Sequence, residues 1–210
     1  MISIVDYGMG NLRSVEKALQ KLGYATELVS TPGCIDAASQ LVLPGVGAFG
    51  DAMRGLQERS LVEPLRHYAA SGRPLFGICL GMQILFESSE EDPGTEGLGI
   101  LRGEVRHFPA MQLKVPHMGW NRLEVRTSSP WFQNLGPEPF VYFVHSYYVV
   151  PVDGGMTATA TEYGIQFTSA VAHENVGGTQ FHPEKSQATG LKILQNFASA
   201  GNSALANTAP

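Results

Sequence analysis

The sequence predicts an α/β fold: an open, mainly parallel central sheet flanked by helices, with additional antiparallel strands in the second half. Three observations carry that prediction. Apolar runs such as Ile2–Val5 and Pro74–Cys79 have the near-continuous apolarity of parallel strands buried on both faces. Segments with helical spacing separate them, beginning with Leu12, Val15, Ala18, Leu19 and Leu22. From Gly103 onward the pattern changes to short strands divided by turns, with helices scarce until the end.

Taken in order, Ile2–Val5 is the first buried strand and Asp6–Gly10 the turn after it. Asn11 has the side-chain oxygen of an N-cap, so a helix runs from about Leu12 to Leu22, and Gly23 is its stop. Strands follow at Ala25–Val29 and Gln40–Leu43. Pro44-Gly45-Val46-Gly47 makes a glycine-rich turn, and helical patterns extend to about Ala70. Pro74–Cys79 is again a strand and Leu80–Glu87 a helix. In the second half the expected strands are Gly103–Phe108, Arg122–Val125, Val141–Val144, Met156–Thr161, Ala170–Ala172 and Thr179–Phe181. Lys114–Asn121 has the Pro, Gly and mixed polarity of a loop. The last helix covers about Gly190–Ala200. With no internal repeat or linker, residues 1–200 read as one domain, and the small, polar residues 201–210 as a flexible tail.

Composition narrows the function classes. Hydrophobic residues make up 43% of the 210 residues, enough apolar material for a folded core rather than a disordered chain. The net charge is -5 and no Lys/Arg cluster breaks it, which argues against nucleic acid as a partner. The longest apolar stretch, Pro74–Phe86, is too short to span a bilayer, and MISIVDYG lacks the basic start and apolar segment of a signal peptide. Two cysteines are too few for a secreted disulfide scaffold, so a cytoplasmic chain with free thiols is expected. No CxxC or HxxxH spacing points to a metal.

Three stretches carry chemistry. In Gly77-Ile78-Cys79-Leu80-Gly81 a strand turns sharply into a helix through a cysteine flanked by glycines, the arrangement of a nucleophile elbow. The helix N-terminus would favour the thiolate, and the Leu80 N–H could meet a developing oxyanion. Read alone, the stretch leaves two options open, a buried core thiol or a nucleophile. His182, in Thr179-Gln180-Phe181-His182-Pro183-Glu184, is the candidate base. If that segment is extended, Glu184 projects to the same side and can orient the imidazole. The Pro44–Gly47 turn ends a strand of the same sheet and can add an oxyanion donor, or be an ordinary strand-end turn. Asp6–Asn11 invites a dinucleotide reading, which fails because Arg13 stands where the third glycine should be. In Tyr142–Tyr147, His145 and Ser146 sit where the apolar run stops.

PGVG, GICLGMQ and FHPE, in this order over residues 44–184, resemble the class I (triad-type) glutamine amidotransferases. DYGMGNLRSVEKAL, KVPHMGWN, YFVHSYY and FHPEKSQATGLKILQNF are similar to the branch of that family that serves histidine biosynthesis, and the likeness runs from residue 1 to about 199. The resemblance implies a flavodoxin-like sheet and a glutaminase with Cys79 as nucleophile, His182 as proton carrier and Glu184 orienting it. It implies an oxyanion hole at Val46, Gly47 and Leu80, and L-glutamine held by Gln83, Ser146, Tyr147 and Glu91. Ammonia would pass to a (βα)8-barrel cyclase subunit in a heterodimer. That subunit would make imidazole glycerol phosphate and aminoimidazole carboxamide ribonucleotide. Asn11, Lys114, Trp120, Asn121 and Lys185 would face it. No cofactor or metal is implied, nor a phosphate site on this chain, in keeping with Arg13. The alternatives are a glutaminase of the vitamin B6, anthranilate or GMP branch, a non-catalytic interaction subunit, and a stand-alone cysteine hydrolase.

Overall fold

In this computed structural model, which describes residues 1–110 and 112–206 with side chains to residue 200, strand β1 (Ile2–Val5) is buried along its whole length. Helix α1 (Leu12–Lys21) starts where expected because the Asn11 side-chain oxygen accepts a hydrogen bond from the Ser14 N–H at 3.3 Å. Gly23, at φ +87°, ends it. β2 (Thr26–Val29) and β3 (Leu41–Gly45) pair with β1 on either side, both parallel. Between and after them come α2 (Pro32–Ala37), α3 (Phe49–Glu58) and α4 (Val62–Ala70). β4 (Leu75–Cys79) joins β3 in parallel and runs into the single turn α5 (Leu80–Gln83).

The second half adds β5 (Ser88–Ser89), β6 (Gly103–His107), β7 (His117–Arg122), β8 (Glu124–Val125), β9 (Phe140–His145), β10 (Tyr147–Pro151), β11 (Thr157–Glu162), β12 (Gln166–His173), β13 (Val176–Thr179) and α6 (Gln187–Ala206). The main sheet runs β2-β1-β3-β4-β13-β12-β10-β6-β5, with β11 on β12 and β8 on β11; β7 and β9 pair separately. The expected division holds. The β2-β1-β3-β4-β13 half is parallel, while β12, β10, β6 and β11 are joined by antiparallel pairs. The centre of the sheet, β1, β3, β4 and β13, is buried on both sides. Leu75 packs with Leu56 of α3 and Leu65 of α4, while its neighbours Phe76 and Ile78 pack with Val15 and Leu19 of α1 and Leu194 and Phe197 of α6.

β13 is the element that builds the site. It returns beside β4 in parallel, with Gly178 opposite Gly77 and Thr179 opposite Ile78. Residues 180–182 therefore leave the sheet next to Cys79, although they lie about a hundred positions away in the chain. That close approach needs glycine: a Cβ on Gly178 would collide with the Gly77 carbonyl oxygen.

Several boundaries differ from the sequence expectation. Lys114–Asn121 is not a loop throughout, because His117–Arg122 forms β7, paired from His117↔His145 to Arg122↔Phe140. Its long-range partner supplies the ladder that a Pro- and Gly-containing segment does not advertise. The expected strand Arg122–Val125 is split, β8 pairing instead with β11. The strand expected at Thr179–Phe181 is β13 and ends at Thr179. β10 was hidden by the aromatic run before it. α5 stops at Gln83 rather than Glu87, and Ile84, Leu85 and Phe86 are buried beyond it. The last helix is longer than expected at both ends. Residues 207–210, the end of the expected tail, lie outside the described residues.

Candidate active site

Cys79 closes β4 and caps α5 with φ +55° and ψ -113°, a left-handed conformation that a residue with a Cβ adopts only under strain. The glycines on either side make the turn possible. A Cβ on Gly77 would lie 2.6 Å from the Met82 backbone, and one on Gly81 would collide with the Leu43 carbonyl oxygen. Helix and strand therefore touch backbone to backbone. Cys79 is buried at 8% exposure. It packs against the core and also lines a cavity of about 320 Å³.

The same cavity is lined by Val46, Gly47 and Leu80, by Gln83 and Glu91, by Ser146 and Tyr147, and by His182. Nine of the ten residues expected to handle substrate thus meet in one place, with Glu184 just behind His182. Pro116, Val144 and His145 complete the wall. Gly47 has φ +104°, which favours glycine at the turn. The Pro44 carbonyl before it is held by the buried Tyr7 hydroxyl at 2.9 Å. Burial, and the negative charge available at Cys79, push the Tyr7 phenol up, so it stays a neutral donor. The Glu91 carboxylate accepts the Phe49 N–H at 2.8 Å, at the N-terminus of α3, where the helix dipole favours an anion. Gln83 uses its Nε2 twice, donating to the Tyr147 carbonyl at 3.1 Å and to Gln180 Oε1 at 3.0 Å. Its carbonyl oxygen is left for a ligand.

His182 and Glu184 do not share a strand face. His182 is extended, and Pro183–Lys185 then forms a 3₁₀ turn that brings the carboxylate back to the ring. A carboxylate only accepts, so His182 Nδ1–H donates to Glu184 Oε1 at 2.9 Å and Nε2 is free for the sulfur. Ser186 anchors the turn, its hydroxyl donating to the His182 carbonyl at 2.6 Å and accepting from the Tyr142 N–H at 2.9 Å. Burial alone would lower the imidazole's affinity for a proton. The hydrogen-bonding partners Cys79 and Glu184 and their negative charges outweigh it and push the pKa up to about 9. The charged imidazolium is the form this favours.

The raised value has a signed consequence for stability. The ordinary imidazole titrates at about 6.5. Stabilisation from His182 is then complete below that pH and is lost as pH rises toward 9. Melting temperatures of the protein and of His182→Gln, taken between pH 6 and 9.5, are expected to converge as pH increases. Parallel curves would contradict the raised value.

The residues expected to face a partner lie on an outer surface. Lys114, Asn11 and Lys185 are exposed, although Asn11 also caps α1. Trp120 is 47% exposed beside Met118 at 62%, on the face of β7 that also carries Phe140 across on β9 at 45%. The half-buried Asn121 side chain donates to the Glu162 carbonyl at 2.9 Å.

Sequence reasoning gave no role to three buried polar residues here: Tyr7, His117 and Gln180. Each sat inside a stretch noticed for other reasons. A second cavity, about 460 Å³, lies at the other end of β4 among Arg66, Leu98, Ile100, His173 and Asn175, and holds no nucleophile. Among the described residues no three His, Cys, Asp or Glu side chains converge as a metal site, and no helix is long and apolar enough to cross a membrane.

Comparison with known proteins adds to this geometry. The family described as glutamine amidotransferase class-I matches residues 3–200. The chain is 52% identical over 203 residues to the imidazole glycerol phosphate synthase subunit HisH of Syntrophotalea carbinolica, covering 94% of this chain and 98% of that one. It is 51% identical over 195 residues to the protein of the same name from Aquifex aeolicus, covering 92% and 94%. Among solved structures, a putative GMP synthase protein from Thermoplasma acidophilum superposes with a TM-score of 0.75 at 21% identity, covering 98% of this chain and 96% of that one. At that identity the likeness speaks for the fold.

Proposed function

This chain belongs to the class-I glutamine amidotransferase family, and we propose that Cys79, His182 and Glu184 form its catalytic triad. It hydrolyses glutamine to glutamate and ammonia in histidine biosynthesis, as the glutaminase subunit of an imidazole glycerol phosphate synthase that supplies a cyclase partner. The observation that carries this is identity of about half over nearly the full length of relatives so named, on a chain whose cysteine and histidine line one cavity with a carboxylate bonded to the histidine behind it. The GMP-branch alternative rests on shared fold alone and is not favoured.

In the proposed mechanism, glutamine occupies the 320 Å³ cavity with its side-chain amide at Cys79. The Glu91 carboxylate and the free Gln83 carbonyl oxygen suit an ammonium group, which fixes the amino-acid end. The Cys79 thiolate attacks the amide carbon, and the negative charge passes to its oxygen. Backbone donors of Leu80 and of the Val46–Gly47 turn stabilise that charge. His182 Nε2–H protonates the leaving nitrogen, ammonia departs, and a thioester remains. His182 then accepts a proton from water as the water attacks the thioester, and glutamate leaves with the thiolate restored. Glu184 holds the imidazole tautomer and balances the imidazolium. No cofactor enters.

The proposal extends to the partner. The cyclase is a (βα)8 barrel bound one to one, and it docks on the surface of Asn11, Lys114, Met118, Trp120, Asn121 and Lys185. Exposed apolar side chains on one face of β7 and β9 support that placement. A cytoplasmic setting fits this role. The test has two arms. The chain is expected to restore growth without histidine to a strain lacking its own glutaminase subunit. Purified with a cyclase bearing its ribonucleotide, it is expected to release glutamate from glutamine. Failure of both arms with soluble, assembled protein would refute the reading.

A further inference from the structure

Gln180 is fully buried, and its backbone N–H is tied to the Ser169 carbonyl at 2.9 Å. Its side chain lies between Gln83 and Cys79. The Oε1 atom accepts from Gln83 Nε2 at 3.0 Å, and Nε2 stands 3.8 Å from the Cys79 sulfur.

The direction of these bonds is set by one atom that cannot donate, the Tyr147 carbonyl oxygen. It accepts from Gln83 Nε2 at 3.1 Å, so the Gln83 nitrogen, not its oxygen, faces this side. The second N–H of Gln83 then reaches Gln180, whose oxygen must meet it. Flipping the Gln180 amide would set two donors against each other and press a carbonyl oxygen onto the sulfur.

The same carbonyl also orders the outer side. His145 Nδ1 lies 2.8 Å from it and must carry the proton, which leaves His145 Nε2 as an acceptor for His117 Nδ1 at 3.0 Å. Burial holds His145 near pKa 3 and His117 near 4, so each ring has one proton to give. His117 Nε2 then takes Asn121 Nδ2 at 3.4 Å. The Tyr147 carbonyl is therefore held from two sides, and Gln180 is oriented from β7 inward.

We propose that Gln180 is a positioning residue for the nucleophile, its amide N–H donating to the Cys79 sulfur and favouring the thiolate. The proposal rests on the reading of Cys79 as nucleophile. A hydrogen bond donated to an anion stabilises the charged form relative to the thiol. Nitrogen can only donate, so the bond strengthens when the thiol ionises. The His182 side of the sulfur supplies the proton carrier, and Gln180 supplies a fixed dipole that does not titrate.

The test reads the thiolate directly. Iodoacetamide alkylation of Cys79 is followed against pH on the full chain, with Cys79→Ala as the blank for Cys34. Gln180→Met removes the donor. Gln180→Glu keeps an acceptor for Gln83 and replaces the donor by an anion. The half-point of alkylation is expected to rise by about one pH unit in Gln180→Met and further in Gln180→Glu. With the cyclase bound, kcat is expected to fall about tenfold with KM within twofold. Unchanged alkylation half-points in folded variants, or a raised KM with unchanged kcat, overturn the proposal. If neither variant folds, ¹⁵N-labelled protein decides: the Gln180 side-chain amide protons must shift with the Cys79 midpoint, and a flat response overturns it. Glutaminase activity surviving in Cys79→Ala would refute the nucleophile assignment while leaving these profiles readable, so the two failures are distinguishable.

Discussion

Cys79→Ala is expected to lower glutamate release by about 10⁴-fold or more, because nucleophile and base act as a unit and neither retains much without the other. Synthesis driven by added ammonia should continue in the complex, since the cyclase chemistry does not need this chain's thiol. Measuring both activities on one preparation separates loss of chemistry from loss of assembly. Retained glutamine-dependent synthesis would remove Cys79 from the mechanism. A second substitution probes the strain at the same residue. Cys79→Gly is expected to be more stable than Cys79→Ala by about 1 kcal/mol, because glycine accepts φ +55° and alanine does not. Equal melting temperatures would show that the elbow stores no strain.

Gly81→Ala is the second large effect, and it is structural in origin. The added Cβ would collide with the Leu43 carbonyl oxygen on β3, a backbone atom of a buried central strand. Neither side can give way cheaply: β3 is paired to both β1 and β4, and α5 is fastened to Cys79. A destabilisation of about 3 kcal/mol or more is expected for such overpacking. For a chain of this length that lowers Tm by roughly 6–12 °C. The protein that still folds should lose glutaminase activity as well, since relief comes from moving the helix that carries the Leu80 N–H. Differential scanning calorimetry with an activity assay checks this, and a Tm within about 2 °C of the unsubstituted protein would mean that the close contact at Gly81 is not required.

The first half of the fold was legible because each strand is a short apolar run and each helix has its own periodicity and stop, as with Asn11 and Gly23 around α1. The second half was only partly legible. β7 and β10 owe their existence to partners far along the chain, β9 and β6, so their own residues carry a weak signal. The site was legible to the same degree. Cys79 announced itself through its flanking glycines. His182 and Glu184 were found by residue type, while the geometry joining them is a 3₁₀ turn rather than a shared strand face.

By itself the sequence determined the class of fold, the sharp turn at Cys79 and the residue types proposed for the chemistry, because these follow from local backbone preference and side-chain type. Tertiary structure alone decided which of them meet. The parallel return of β13 beside β4 carries residues 180–182 to the sulfur, and no local pattern encodes that pairing. It also decided the direction of each hydrogen bond around Gln180, since a single buried carbonyl, that of Tyr147, can only accept and so orients every amide and imidazole linked to it.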